Sequence, residues 1–206
     1  MMNWLKEENR RTRAFLRGEF GSTMWMCSVA FGVLLIVGFV AGLILKDFAD
    51  GLVSNFAQQV EDMGILDEDG TVSAFALLTN NVRATLLTIL YGFVPYVFLP
   101  ALSLGTNAIL LGAFAAYYVN NGSSLLLYLA GIIPHGIFEL PAIVLAVAMG
   151  IYLCKMINYY VKHNTKGIML PLMADLLRAF LLRLIPMLVL ASLVEAYITP
   201  LVMGLF

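Results

Sequence analysis

His135 and Glu139 stand four residues apart in Pro134-His135-Gly136-Ile137-Phe138-Glu139-Leu140-Pro141, inside an apolar run from Leu125 to Cys154. At i and i+4 of a helix the two side chains share a face and can touch. Pro134 suits a first helical position, which would set His135 and Gly136 at a helix N-terminus with unsatisfied N–H groups. An ionisable group at membrane depth costs roughly 3 kcal/mol even on lenient insertion scales, and imidazole titrates near neutral pH. The pair therefore has the chemistry of a proton or cation relay. It would serve equally as a locked hydrogen bond joining two half-helices, and the sequence leaves both open. One His and one Glu make half of a zinc site. His163 belongs to a basic loop and neither cysteine is close in sequence, so no metal and no cofactor is expected. H-x-x-x-E is also not the H-E-x-x-H of zinc proteases.

A second set of polar residues is Arg83, Asn107, Asp175, Arg178, Arg183 and Glu195. Asp175 and Arg178, at i and i+3, can pair near a membrane surface, and Arg183 can snorkel. Glu195, in Leu193-Val194-Glu195-Ala196-Tyr197-Ile198-Thr199-Pro200, lies deep enough to need a partner. Arg83, near the outer end of the second span, is at a similar depth and is the expected one; burying such a pair roughly breaks even, whereas removing one member is costly. Asn80, Asn81 and Asn107 are expected to add hydrogen bonds between helices. The intramembrane polar site is thus read as His135, Glu139, Glu195, Arg83 and Asn107. No Ser–His–Asp order, phosphate loop or nucleotide motif is present, so neither an enzyme nor a nucleic-acid binder is expected.

The elements that must position these residues follow from composition. The chain of 206 residues is 61% hydrophobic and 12% charged, about half the charge of an ordinary soluble domain. Its mean hydropathy is +0.90, and several apolar runs reach the ~20 residues a spanning helix needs. The expectation is an all-α polytopic membrane protein, a single domain over 1–206, with five transmembrane helices. Lys6, Arg10, Arg11, Arg13 and Arg17 precede the first run, and Lys155, Lys162, His163 and Lys166 follow the fourth; acids crowd the segment between the first and second. By the positive-inside rule the N-terminus and the 155–166 loop face the cytoplasm of a cell membrane, and the C-terminus faces outward. Residues 1–23 read as a basic cytoplasmic arm on membrane lipids.

Met24 to Leu45 is too long for a signal-peptide core and reads as a retained span, with Gly38 and Gly42 in a G-x-x-x-G pattern that offers weak support for a dimer seam. Residues 46–80 read as an extracytoplasmic amphipathic segment. Phe48, Leu52, Phe56 and Val60 recur every fourth residue and offer a partner surface. A turn is expected at Leu66 to Gly70, where Asp67-Glu68-Asp69-Gly70 lacks the glycine and glutamate spacing of a calcium loop. A short helix capped by Thr71 or Ser73 should end at Asn80-Asn81, and the second span should run from Val82 to about Leu99, interrupted by Pro95. The fourth run, about 30 residues, exceeds a ~30 Å hydrocarbon core. With Pro134, Gly136 and Pro141 inside it, a broken helix is expected. Pro186 should kink the fifth. Cys27 and Cys154 fall near cytoplasmic helix ends and should be free, buried thiols.

The octapeptide 134–141 with Ala142, the Asn80-Asn81 pair, the glycine- and proline-rich second and third spans, and Glu195-Ala196-Tyr197-Ile198-Thr199-Pro200 together resemble the stage II sporulation protein M family of membrane proteins. The resemblance runs from about residue 20 onward, and Asn107-Ala108 departs from an expected Asn-Gly. It implies a five-span fold. It also implies a place beside the namesake, which works in forespore engulfment with partners that degrade peptidoglycan. The leading expectation is a membrane scaffold that recruits extracytoplasmic cell-wall-remodelling proteins. The alternative is a homodimeric transporter or channel with a proton- or cation-binding site at His135 and Glu139.

Overall fold

The computed structural model describes residues 2–62, 71–165 and 167–206, which are helical throughout apart from their connections. The expected turn at 66–70 and the basic Lys166 lie outside the described residues, as does the Val60 side chain. Helices α1 (Met2–Arg17) and α2 (Glu19–Ile44) meet at Gly18, and α3 (Lys46–Asp62) follows after Leu45. Next come α4 (Ala74–Leu90), α5 (Pro100–Asn120) and α6 (Leu125–His163). The C-terminal helix runs on through α7 (Met169–Ala179), α8 (Ile185–Leu193) and α9 (Thr199–Met203). Four helices among the described residues are long and apolar enough to cross a membrane: α2, α5, α6 and the continuous stretch Met169–Met203. The chain is a helical membrane protein.

The tightest contact joins α2 to α5. Lipid tails are as apolar as leucine, so helices in a bilayer associate through close van der Waals contact rather than water exclusion. Small residues let the backbones approach. A methyl group on Gly112 would collide with the Leu35 carbonyl and the Phe39 amide nitrogen, and one on Gly42 would sit 2.7 Å from the Ala116 methyl. The G-x-x-x-G face is therefore an intramolecular seam. It also receives α3, whose fully buried Ala49 lies against Gly42, and Asn120 donates to the Gly42 carbonyl at 2.9 Å.

The central element is α6, whose stretch Val144 to Cys154 is buried on every side. A helix apolar and covered all round belongs in the middle of a bundle. The expected break is absent: α6 is one helix of 39 residues with Pro134 and Pro141 inside it. Each proline deprives the carbonyl four residues earlier of its partner. Pro134 is half-buried and Pro141 exposed, both ahead of the enclosed Val144–Cys154 stretch; membrane helices tolerate proline where neighbours or local adjustment satisfy the freed groups.

The C-terminal helix handles its prolines differently. It widens to i→i+5 hydrogen bonding over Phe180–Leu184 and again over Val194–Ile198, each wide turn ending two residues before a proline, Pro186 and Pro200. Widening moves the preceding carbonyls away from the proline ring. The Arg183 guanidinium also donates to the Leu182 carbonyl at 2.8 Å, the acceptor that Pro186 leaves vacant.

The second span differs from expectation. Helix α4 begins at Ala74 after the Ser73 cap position, passes through Asn80-Asn81 and stops at Leu90. Residues Tyr91–Leu99 form a short 3-10 turn and an irregular loop, with positive φ at Tyr96 and Phe98. Pro95 lies in this loop and so sits beyond the helix. The loop is held to the far end of α6 by Tyr96 N–H to Asn158 Oδ1 at 3.0 Å and Cys154 Sγ–H to the Val94 carbonyl at 3.3 Å. Both cysteines are free and buried.

Candidate functional site

His135 and Glu139 lie on one face of α6, as their spacing requires, with His135 Nε2 and a Glu139 oxygen 3.7 Å apart. That separation is too long for a hydrogen bond. Both stand about 15–21 Å along the helix from its first residue, Leu125, at 1.5 Å per residue. The other Glu139 oxygen accepts from Asn81 Nδ2 of α4 at 3.1 Å, so one of the three asparagines expected to bridge helices does so here.

Glu195 comes to the same place. Ligand atoms of His135, Glu139 and Glu195 all lie within 4.8 Å of one another. The wide turn Val194–Ile198 carries Glu195, and the next residue, Thr199, closes that turn with its backbone N–H on the Val194 carbonyl. The Thr199 hydroxyl donates to the same carbonyl at 3.3 Å and meets His135 Nδ1 at 3.3 Å. A hydroxyl has one proton to give. With that proton on Val194, the oxygen accepts from His135 Nδ1 and the Nε2 lone pair faces the carboxylates; in the other tautomer Nδ1 accepts from the hydroxyl and Nε2–H points at them.

Arg83 does not pair with Glu195: it is exposed, and no described arginine or lysine forms an ion pair with Glu139 or Glu195. Depth along two separate spans does not fix which faces meet, and the winding of the last helix turns Glu195 toward α6. Asn107 is also apart from the site; it is exposed and donates back to the Ser103 carbonyl of its own helix at 2.8 Å. Arg178 bonds Asp175 at 2.7 Å, as its spacing predicts, and also Glu8 of α1. Arg183 donates to Asn9 at 2.9 Å. Thr199 was legible only as a neighbour of Pro200; its place four residues after Glu195, on the same helix face, was the available signal.

On the partner surface, Phe48 and Phe56 are both exposed and Leu52 is half-buried; Phe56 also sets its ring edge-to-face on Phe114 of α5 at 5.3 Å. Part of the stripe is thus used within the chain.

A family model described as stage II sporulation protein M matches residues 27–200. A protein of Methanocaldococcus jannaschii, described only as uncharacterized, is 27% identical over 179 residues, covering 84% of this chain and 78% of its own. No solved structure matches. The matched segment contains the 134–141 octapeptide, the Asn80-Asn81 pair and the Glu195–Pro200 motif, and the chain belongs to the stage II sporulation protein M family.

Proposed function

We propose that this protein is a five-span membrane protein that conducts a proton or cation through the His135–Glu139–Glu195 cluster, with α4 as the fifth span. In this reading it works as a homodimer in the cell membrane, with a cytoplasmic N-terminus and an extracytoplasmic C-terminus. The observation that carries the reading is the cluster itself. Three ionisable side chains converge within 4.8 Å on helices apolar enough to cross a membrane, with no opposing arginine or lysine among the described residues. Intramembrane ionisable groups mark ion and proton pathways because their desolvation is costly. A structural knot is better served by a charge pair, and here acid faces acid.

A second reading is the partner-recruiting scaffold of the cell envelope that the family name suggests. Exposed Phe48 and Phe56, with half-buried Leu52 between them, support it. One reconstitution separates the two. Wild-type vesicles should show flux of protons or metal ions, Glu139→Gln should remove it, and alanine at Phe48 and Leu52 should leave it intact. Absence of flux of protons and of metal ions from wild-type vesicles rules out conduction for those substrates and favours the scaffold.

A further inference from the structure

We propose that His135, Glu139 and Glu195 form a binding site for one divalent transition-metal ion of the zinc class. The proposal rests on the cation-handling reading of this cluster and names the ion. Counting ligands along the sequence stopped at two; the fold supplies the third.

Ligand number and spacing come first. Four ligands about 2.1 Å from a tetrahedral centre are roughly 3.4 Å apart. The His135–Glu139 separation is 3.7 Å, and all three residues' ligand atoms fall within 4.8 Å. Small side-chain rotations close that gap. Three protein ligands with a fourth position open is the arrangement of exchangeable zinc sites rather than structural ones.

The supporting bonds point the same way. In the tautomer that protonates Nδ1, the Thr199 hydroxyl accepts that hydrogen, which presents the Nε2 lone pair as a ligand. Metal-bound histidines are normally oriented by such a bond on the opposite nitrogen. Asn81 fixes one Glu139 oxygen at 3.1 Å and leaves the oxygen nearer His135 available. With both acids ionised the carboxylates are acceptors only, and no described arginine or lysine pairs with either of them. Two carboxylates and a divalent cation sum to zero charge, the least costly state in apolar surroundings. Ser192, one turn before Glu195 on the same face, is a further buried polar group whose hydroxyl has no described partner.

Donor chemistry selects the ion. Calcium and magnesium prefer all-oxygen cages of six or more ligands. One imidazole with two carboxylates suits zinc, iron or manganese, and the absence of thiolate disfavours copper(I). Glu139 keeps 21% of its side chain exposed, so the cluster is not sealed on every side.

The test uses the full chain, stripped with chelator in detergent and titrated calorimetrically with Zn2+ alone. One site per chain is expected, weakened at least about tenfold by Glu195→Gln and unchanged by His163→Ala. Thr199→Val removes no ligand yet should weaken binding by about 10- to 100-fold, with rescue by Thr199→Ser. If Glu195→Gln does not fold, the Thr199 pair decides. Lack of saturable Zn2+ binding by folded wild type, or loss through His163→Ala with Glu195→Gln unaffected, overturns the site. Binding without flux in vesicles leaves the site standing and removes conduction. Proton flux without Zn2+ binding does the reverse.

Discussion

Glu7 shows how far an acid's behaviour depends on where it stands. On the exposed face of α1 it accepts from Arg10 at 2.9 and 2.8 Å and from Arg11 at 3.1 Å. Those hydrogen bonds to guanidinium hold its pKa at about 2, below the usual carboxylate range. Because the folded value lies below the unfolded one, the stabilisation is complete above pH ~4.5 and is lost as pH falls toward 2. Carboxyl NMR of the full chain should show Glu7 titrating near 2, and Arg10→Ala with Arg11→Ala should return it toward the ordinary range. All three side chains are solvated, so added salt should narrow the difference. Glu139 and Glu195 have no such cations, and they face each other instead. The sequence made His135 and Glu139 legible as a pair because i,i+4 spacing is local geometry. Glu195 was legible as a buried acid, but its partner was not. Which faces of two distant helices meet is decided by winding, and the wide turn before Pro200 leaves no signal beyond the proline.

At the scale of elements, proline and glycine carry most of the information, and the sequence reading of them was uneven. Pro186 correctly marked an irregularity in the last helix. Pro134 and Pro141 read as breaks in α6, yet the helix continues through both, at Pro141 even on an exposed face. Pro95 was placed inside a helix that had already ended at Leu90. Gly38 and Gly42 were recognised as a close-approach face, but their partner is α5 rather than another copy. Gly112 is the sharper test of that seam, since a Cβ there meets backbone, which cannot rotate away. Overpacking a fitted interior costs about 1–3 kcal/mol. Gly112→Ala should therefore lower unfolding stability in detergent by that amount, while Gly51→Ala, with open space around it, should not. Equal stability of the two variants would mean that the α2–α5 seam is loose.

Over the whole molecule, charge is sorted along the bundle. Helix α1 bends back at Gly18 and packs on the start of the last helix, through Glu8 with Arg178 and Asn9 with Arg183. Phe15 stacks on Phe20 at 4.7 Å and meets the edge of Tyr152 near the end of α6. The five basic residues of the arm therefore share one end with Lys155, Lys162 and the irregular 91–99 loop. Helix α2, about 39 Å long at 1.5 Å per residue, carries the chain to the opposite end, where α3 packs on α5 through Phe56 and Phe114 and carries exposed Asp47 and Asp50. Anionic lipid attracts the basic end, and translocating it would cost desolvation of many cations, so that end should stay in the cytoplasm. Single cysteines at exposed positions test the orientation, because native Cys27 and Cys154 are buried. In intact cells an impermeant thiol reagent should label Ser54→Cys on α3 directly, and Lys162→Cys only after permeabilisation. The opposite pattern would invert the molecule and place the Glu195 helix end in the cytoplasm. Equal access to both positions in intact cells would mean that the bundle does not separate two compartments, and the membrane setting of the His135 cluster would then lose its basis.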